Sequence, residues 1–315
     1  MRQETFDIVY TWVDDAFPGF IEERAKYAQT KQDSDPRRTR DNLQLLKYSL
    51  RSLESYALWR GNIYIVTCSP QVPNWLDTNH PGVRMVYHEE IMPAELLPSF
   101  NAFAIESYLH KIPGLSNRFV HFNDDMLLFS AAPRDVFEAE DGRLKLYFRG
   151  DLPSSDTQIN ESHFPHSSGR INCARALDRV FGRHPHGEQA HHPRIVDGEE
   201  MDRVIETWPE EFARTREARF RGHDTILPHK LLASYMAEKG SAVAVGPRET
   251  AKLMRYTGVG NSVLGNRWGL LRTQWARPTF LCLNDAFGLG AVASAEAVVR
   301  KFLETSYPSP SAFER

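Results

Sequence analysis

Short apolar runs alternate with amphipathic stretches along the first half of the chain. Runs rich in β-branched and aromatic residues predict buried strands at residues 6–13, 62–67, 83–88 and 119–122. Apolar residues at helical spacing predict helices at 42–56 and 101–111, and a short helix is expected at 22–28. This β-α-β-β-α-β order predicts an α/β, Rossmann-like fold with a mostly parallel sheet flanked by helices.

The second half of the chain has a less regular pattern. A hairpin around Asp141-Gly142 is expected within residues 137–149, and the long polar stretch 150–172 is a candidate active-site loop. The tail, residues 306–315, is expected to be loose. Further helices are predicted at 174–181, 198–216 with a break at Pro209, 226–238 and 296–303, and further strands at 242–245 and 278–285.

We therefore divide the chain into two parts of one domain. Residues 1–136 form the predicted Rossmann-like part. Residues 137–315 form a largely helical part that is expected to complete the active site with its long loop and its final strand.

Composition excludes several classes of protein. Lys and Arg total 38 against 41 Asp and Glu, so no overall basic field favours nucleic acid or an anionic membrane. The 3 cysteines are far apart, which fits buried thiols in a reducing compartment. No uncharged stretch reaches about 18 residues and no apolar leader is evident. We expect a cytoplasmic protein without a membrane span, for which peripheral membrane association stays open and the oligomeric state is not indicated.

Charge interrupts the apolar run of residues 118–130 at Asn123, Asp124 and Asp125. Two adjacent carboxylates withdrawn from water need a cation or several hydrogen bonds. A hard divalent metal such as Mg²⁺ meets that need, because it binds carboxylate oxygens. An exposed β-turn, in which an aspartate caps its own backbone, explains these residues equally well.

Two further carboxylates follow the first and the last predicted strands, Asp14 and Asp285. Because the carboxyl ends of parallel strands meet at one edge of a sheet, these endings strengthen the hypothesis of a shared metal site. Arg40 lies at the start of the second helix, where free N–H groups favour phosphate. Asp41 or Asn42 can be an ordinary helix cap, which is the commoner role at this position.

Histidines are concentrated in residues 183–194. They invite a zinc hypothesis, but no cysteine lies nearby and the spacing fits no standard site. Structural or catalytic use of one histidine is favoured, because a neutral imidazole can accept a hydroxyl proton. Arg221 precedes His223 and Asp224, where a surface ion pair is the ordinary role of such an arginine.

Several common nucleotide and hydrolase motifs are missing from the sequence. It has no GxxxxGK[ST] phosphate loop, no GxGxxG after the first strand and no GxSxG elbow. The residues alone therefore indicate a metal-dependent transferase or hydrolase that acts on a phosphorylated sugar.

The same segments resemble the Stealth family of phosphotransferases. FDIVYTWVDD resembles the first conserved region, although Asp15 stands where the family usually has glycine. The second conserved region resembles RDNLQLLKYSLRSLESYALWRGNIYIVT and LPSFNAFAIESYLHKIPGLSNRFVHFNDDMLLF. The third conserved region resembles AHHPR, WPEEFARTR and FRGHD, and the fourth resembles FLCLND. The resemblance extends from residue 6 to about residue 285 and is poor over 137–170.

This resemblance implies a GT-A-like fold and a reaction in cell-surface polysaccharide synthesis. The enzyme would transfer a sugar 1-phosphate from a nucleoside-diphosphate sugar to a saccharide hydroxyl and release the nucleoside monophosphate. The expected donor is a UDP-N-acetylhexosamine. The implied catalytic residues are Asp125, His191 as general base and Arg221 on the phosphate; the implied metal ligands, for Mg²⁺ or Mn²⁺, are Asp124, Asp125 and Asp285; and the implied donor-binding residues are Asp14, Arg40 and Asn42.

Three alternatives remain at this point. A GT-A-type glycosyltransferase would use the same metal and fold but attack the anomeric carbon and release the nucleoside diphosphate. A catalytically silent carbohydrate- or nucleotide-binding module would not need His191 as a base. A metal-dependent phosphodiesterase would accept water in place of the saccharide.

Overall fold

The apolar runs of the first half form parallel strands, as their pattern predicts. The structure is a computed structural model that describes residues 5–30, 33, 39–287 and 290–315. Within these ranges the strands are β1 (Phe6–Thr11), β2 (Arg60–Thr67), β3 (Val83–Tyr87), β4 (Arg118–Asn123), β5 (Met126–Leu128), β6 (Leu144–Asp151), β7 (Gly187–Gln189), β8 (Arg194–Asp197), β9 (Ala242–Val245), β10 (Met254–Val259) and β11 (Phe280–Asp285). The helices are α1 (Phe20–Tyr27), α2 (Leu45–Tyr56), α3 (His88–Ile91), α4 (Ala102–Glu106), α5 (Pro165–Phe181), α6 (Gly198–Thr207), α7 (Pro209–Glu217), α8 (Pro228–Glu238), α9 (Pro247–Leu253), α10 (Val263–Ala276) and α11 (Ala293–Ser306).

The main sheet has the strand order β3-β2-β1-β4-β8. β1 pairs in parallel with β2 and β4, and β2 with β3, whereas β8 is antiparallel to β4. This topology confirms the predicted α/β, Rossmann-like class. The register sets Thr11 opposite Asn123, so the carboxyl ends of β1 and β4 lie side by side. Asp14 and the Asp124-Asp125 turn therefore follow neighbouring strands at one edge of the sheet.

A smaller sheet meets the main one at the Asp124-Asp125 turn. Its order is β10-β11-β5, with β11 parallel to β10 and antiparallel to β5. The two-residue turn joins β4 of the main sheet to β5 of the small one. The Leu283 amide donates to the Asp125 carbonyl at 2.9 Å, which fixes β11 beside the turn. A third group of strands, β7-β6-β9, carries the segment that leads to His191.

Helix α2 connects both sheets through a buried hydroxyl. Its leucines, including Leu46, Leu50 and Leu53, are buried in the main core, as their helical spacing predicts. The Ser49 hydroxyl donates to the Met126 carbonyl at 2.5 Å and accepts from the Tyr10 hydroxyl at 2.6 Å. One side chain thereby links β1, α2 and the first residue of β5.

The hydrophobic core draws on both predicted parts of the chain. The main cluster includes β1 residues such as Ile8 and also Phe212 and Leu231 of the second half. A second cluster contains Leu43, Leu127 and Leu281 among others and lies between α2, β5 and β11. The division at residue 136 stays a prediction.

Several element boundaries differ from those predicted. Helix α5 begins at Pro165 rather than 174, so the candidate active-site loop shortens to residues 152–164. The predicted 101–111 helix is α4 followed by a separate turn of 3₁₀ helix at Leu109–Lys111. The Asp141-Gly142 turn forms, but β6 pairs mainly with β7 and β9 rather than in a simple hairpin. The elements without a sequence prediction were β5, β7, β8, α3, α9, β10 and α10.

The expectation of a loose tail was wrong. The Arg51 guanidinium of α2 donates to both carboxylate oxygens of Glu314 at 2.6 and 2.7 Å. The Arg315 amide donates to the Trp75 carbonyl at 3.0 Å. A bidentate pair of low exposure fixes a tail that its composition marks as mobile.

Across the part of the chain that the structure describes, none of the helices has both the length and the apolar character that a bilayer crossing requires.

We predict that Ser49→Ala destabilises the protein by about 1–3 kcal/mol, because the Met126 carbonyl loses its hydroxyl donor in a dry environment. The midpoint of urea unfolding at fixed slope measures this change. Ser55→Ala is the matched control, since Ser55 is an exposed residue of the same helix, and it should change stability by less than about 0.5 kcal/mol. Equal midpoints for the two variants would contradict the proposed link.

Candidate functional site

Carboxylates from four segments gather at the carboxyl ends of β1, β4 and β11. We call this set the acidic cluster: Asp14, Asp41, Asp124, Asp125 and Asp285. Burial raises the pKa of Asp41 to about 7, and the charges of Asp14 and Asp285 add to that shift against hydrogen bonds from Trp12 and the Leu45 amide. Asp41 accepts from the Leu45 amide, the first of α2, at 3.1 Å, although the N-cap residue of this helix is Gln44. Because the charges of Asp14 and Asp285 act on it, Asp41 also belongs to the acidic cluster.

The Asp124-Asp125 turn concentrates negative charge in a poorly hydrated place. Withdrawal from water, then the charges of Asp125 and Asp41, raise the pKa of Asp124 well above its ordinary value. Burial also raises the pKa of Asp125, whereas the Cys282 thiol and the Arg194 charge oppose that shift. Among the described residues, Asp125 Oδ1 is buried without a hydrogen-bond partner. Such a cluster fits a divalent cation, which would satisfy the orphaned oxygen and offset the repulsion.

Asp125 also meets a histidine from the second half of the chain. Asp125, His191 and Cys282 each have a potential ligand atom within 4.8 Å of those of the other two. The Cys282 thiol donates to Asp125 Oδ2 at 3.2 Å, and burial raises the pKa of this thiol well above its ordinary value. The sulfur therefore stays protonated, and the oxygens of Asp125 and the His191 ring are the reactive groups at this point.

His191 is exposed to solvent yet has protein on its other sides. It lies between β7 and β8, and its ring centroid is 6.3 Å from that of Tyr256. Desolvation, then the charges of Arg194 and of neighbouring residues such as His229 and Lys230, lower the pKa of His191 well below its ordinary value. The imidazole is neutral at pH 7 and has a lone pair with which to accept a proton.

Cationic and imidazole groups surround His191 on the protein side. We call this set the basic cluster: His166, His191, Arg194, His229 and Lys230. Arg194 is 1% exposed, and its guanidinium donates to His121 Nδ1 at 2.9 Å and to Asn123 Oδ1 at 3.0 Å. The antiparallel register of β4 and β8, with His121 opposite Arg194, brings this arginine beside the Asp124-Asp125 turn.

Two buried glutamates hold the basic cluster in place. Glu106 of α4 accepts from His229 Nδ1 at 2.6 Å and lies 3.7 Å from Arg194. Burial opposes its ionisation, but His229 and Arg194 together lower the pKa of Glu106 well below its ordinary value. Glu188 of β7 accepts from Lys230 at 2.8 Å, and burial lowers the pKa of Lys230 to about 8 despite that partner.

The predicted donor-binding residues have the following positions. Asp14 lies in the acidic cluster and borders a pocket of about 310 Å³. Arg40 donates from Nε to the carboxylate of the buried Asp15 at 2.9 Å. Asp15 is the residue that stands where the family usually has glycine. The Asn42 carbonyl accepts from Arg300. The pocket lies beyond the carboxyl end of β1 and is lined by Trp12, Asp14, Phe17, Asp41, Gln44 and Trp75 among others.

Arg221 lies near His166 of the basic cluster. Its guanidinium carbon is 4.7 Å from the Phe103 ring centroid. Burial lowers the pKa of His166 to about 3, and the charge of Arg221 adds to that shift. The structure thus brings Asp125 and His191 together, with Arg221 near His166. The catalytic and metal-binding roles of these residues stay predictions.

Sequence reasoning missed most of the residues that support the site. Glu106, Arg194, His229 and Lys230 have no local motif, because each is defined by contacts with distant segments. Asp41 was interpreted as a cap alone. The sequence contains one indication of Arg194: this charged residue directly precedes the apolar Ile195-Val196, much as the polar residues from Asn123 onward interrupt an apolar run.

Comparison with protein families gives three matches. They are Stealth protein conserved region 2 at residues 38–146, conserved region 3 at 190–238 and conserved region 4 at 272–315. Together these regions cover more than half of the chain and contain most of the acidic and basic clusters. The resemblance of residues 6–15 to the first conserved region stays a prediction.

Curated relatives extend over the whole chain. An exopolysaccharide phosphotransferase of Streptomyces coelicolor is 32% identical over 318 residues, which is 100% of this chain and 52% of the relative. The capsular polysaccharide phosphotransferase SacB of Neisseria meningitidis serogroup A is 33% identical over 98% of this chain and 57% of its own length. The chain thus spans about half the length of these relatives.

Among solved structures, a galactosyltransferase LgtC in complex with donor and acceptor sugar analogs matches 95% of this chain and 96% of its own. The TM-score is 0.45 and the identity 9%, so this likeness bears on neither the site nor the reaction. The three conserved regions and the relatives are sufficient by themselves: the chain belongs to the Stealth protein family.

Proposed function

We propose that this chain transfers a sugar 1-phosphate from a nucleoside-diphosphate sugar, UDP-N-acetylhexosamine above all, to a saccharide hydroxyl and releases the nucleoside monophosphate. The observation that carries the proposal is the meeting of Asp125 and His191, with ligand atoms within 4.8 Å. The Asp125 carboxylate can bind a metal ion, and the neutral His191 imidazole can accept a proton. A phosphorus atom bound beside them would lie between the acidic cluster and the basic cluster.

A divalent cation belongs to this proposal. Asp124, Asp125 and Asp285 would hold Mg²⁺ or Mn²⁺, which when bound would neutralise diphosphate charge and polarise a phosphoryl oxygen. The partnerless Asp125 Oδ1 and the raised pKa values of Asp124 and Asp125 support this assignment. Asp41 adds a fourth carboxylate, whose pKa of about 7 makes it responsive to a nearby cation.

The basic cluster would act on the phosphoryl group. His191 Nε2 or Nδ1 would accept the proton of the acceptor hydroxyl as its oxygen attacks phosphorus. Buried Arg194 and Lys230, with Arg221 near His166, would stabilise the negative charge that grows on the phosphoryl oxygens. Glu106 and Glu188 would orient these cations rather than contact the substrate.

The pocket beyond β1 would take the nucleoside. Its volume of about 310 Å³ and its aromatic walls, Trp12, Phe17 and Trp75, suit a stacked base. Asp14 and Asp41 at its edge can accept hydrogen bonds from ribose hydroxyls. Because Arg40 is engaged with Asp15, we assign it to shaping this loop more than to direct phosphate binding.

The names of the relatives support a role in polysaccharide synthesis, as those proteins are called capsular and exopolysaccharide phosphotransferases. Because the chain spans about half of their length, the acceptor and the complete activity belong to the proposal as well. The cytoplasmic location stays a prediction.

The product distinguishes this reaction from its alternatives. We predict release of UMP from a UDP-N-acetylhexosamine in the presence of Mg²⁺ or Mn²⁺ and a saccharide acceptor, with loss of turnover in EDTA. Chromatography of the nucleotides measures it. Release of UDP would identify a glycosyltransferase, UMP release with water alone a phosphodiesterase, and donor binding without turnover a silent binding module.

We predict that Asp125→Asn lowers the turnover rate by at least about 100-fold and weakens its dependence on the metal concentration, because a neutral amide binds Mg²⁺ poorly. Steady-state rates over a metal titration measure both effects. Asp141→Asn is the matched control in an exposed turn and should keep the wild-type rate and metal dependence. A rate for Asp125→Asn near that of the control would remove the metal assignment.

We predict that His191→Ala slows the chemical step by about 10²–10⁴-fold, because the hydroxyl proton loses its acceptor. Donor affinity should stay within about twofold, since the base acts on the acceptor rather than on the nucleotide. Single-turnover rates and calorimetric donor binding separate the two quantities. Unchanged turnover would eliminate His191 as the base, and a parallel loss of donor binding would assign it to the donor site instead.

A further inference from the structure

A second group of metal-binding side chains lies outside the acidic and basic clusters. It forms where the C-terminal ends of α5 and α8 meet the segment that precedes β7. One ligand atom each of His184, His186 and Glu238 lie within 4.8 Å of one another. His186 and Glu238 are 52 residues apart in sequence, so spacing within the histidine-rich segment could not reveal the carboxylate.

The hydrogen bonds of His184 leave one ring nitrogen directed at the carboxylate. His184 Nδ1 lies 3.2 Å from the Gly182 carbonyl, which only accepts, so the proton of a neutral imidazole is on Nδ1. Nε2 then presents a lone pair to Glu238 Oε1 at 2.9 Å. Two facing lone pairs repel unless a proton or a metal ion lies between them.

His186 has the same requirement. Its Nδ1 lies 2.6 Å from Glu238 Oε1 and its Nε2 3.0 Å from Asp178 Oδ1, so both nitrogens face carboxylates. A neutral imidazole has a single N–H, which can serve one of these two oxygens. With Nε2–H donating to Asp178, Nδ1 becomes a free ligand atom. A carboxylate behind a metal-binding histidine is the arrangement that orients such a ring in zinc sites.

Charge balance permits one divalent ion in this group. Two neutral imidazoles with Glu238 and Asp178 have a net charge of −2, which either two added protons or one dication would cancel. Two imidazole nitrogens and one carboxylate oxygen are a donor set that Zn²⁺ favours over Mg²⁺ or Ca²⁺. The His186 side chain is 2% exposed and that of His184 42% exposed, so solvent ions can reach the group from the His184 side.

We propose that His184 Nε2, His186 Nδ1 and a Glu238 oxygen bind one Zn²⁺, with Asp178 as the hydrogen-bond partner that orients His186. The ion attaches the segment 182–186 to the end of α8. Gly187 follows at once, and β7 leads through Glu188 to His191, so the zinc fixes the start of the segment that carries the proposed base. Zinc binding at this site does not require the proposed transfer reaction to be correct.

The test is a zinc titration of the full chain. Protein stripped with a chelator is titrated with Zn²⁺ against a chromophoric zinc chelator, in millimolar Mg²⁺ so that oxygen-only sites are occupied. We expect a saturable zinc site in the wild type, and Asp125→Asn distinguishes it from the group of Asp125, His191 and Cys282. His184→Ala and Glu238→Gln should each lose it, and Asp178→Asn should weaken it by about 10–100-fold. Asp125→Asn should retain it.

Thermal unfolding gives a second readout and a control for folding. Zinc should raise the melting temperature of the wild type and of His163→Ala, whose partly exposed histidine lies in the 152–164 loop, but not that of His184→Ala. Because His184 is exposed, its alanine variant should match the zinc-free wild type in melting temperature. A wild type that binds no zinc, or a site that survives His184→Ala and disappears in Asp125→Asn, would overturn the proposal.

Discussion

Carboxylates that are withdrawn from water must be matched by positive charge, and this constraint organises the site. The Asp124-Asp125 turn lies where two sheets meet, so its side chains are less hydrated than those of a surface turn. Arg194 supplies one fixed charge beside Asp125, and a bound cation would supply the rest. Because Arg194 is itself buried, it depends in turn on Asn123, His121 and Glu106. The loss of any member leaves a charge without compensation.

The Rossmann-like half of the fold follows from local pattern. β1 and β2 contain the buried apolar runs 8–10 and 63–66, which suits a parallel sheet covered on both faces, and α2 has its leucines at helical spacing. Parallel strands then bring their carboxyl ends together, so the sequence alone associates Asp14 with Asp124. The polar interruption at Asn123 was informative because polar groups inside such a run are costly.

The second half could not be derived in the same way, because tertiary contacts override weak local preference there. The first turns of α5 contain Ser168 and Gly169, which are poor helix formers. They are helical because Gly169 lets the helix approach Leu227, within 3.1 Å of where a Cβ would stand. Likewise, the tail is held by Glu314 and Arg51, which are 263 residues apart. Pairings at that distance leave no periodic signal in sequence.

The length of the β4–β5 turn has a consequence for variation in this family. Asp124 is influenced by Asp41, which borders the pocket beyond β1, whereas Asp125 contacts Cys282 and is influenced by Arg194 of the basic cluster. Inserting or deleting one residue in this two-residue turn would displace both aspartates from these neighbours and shift β5 against β11. We therefore expect insertions and deletions among natural homologues to accumulate in surface loops such as 152–164 and to be absent between Asn123 and Met126.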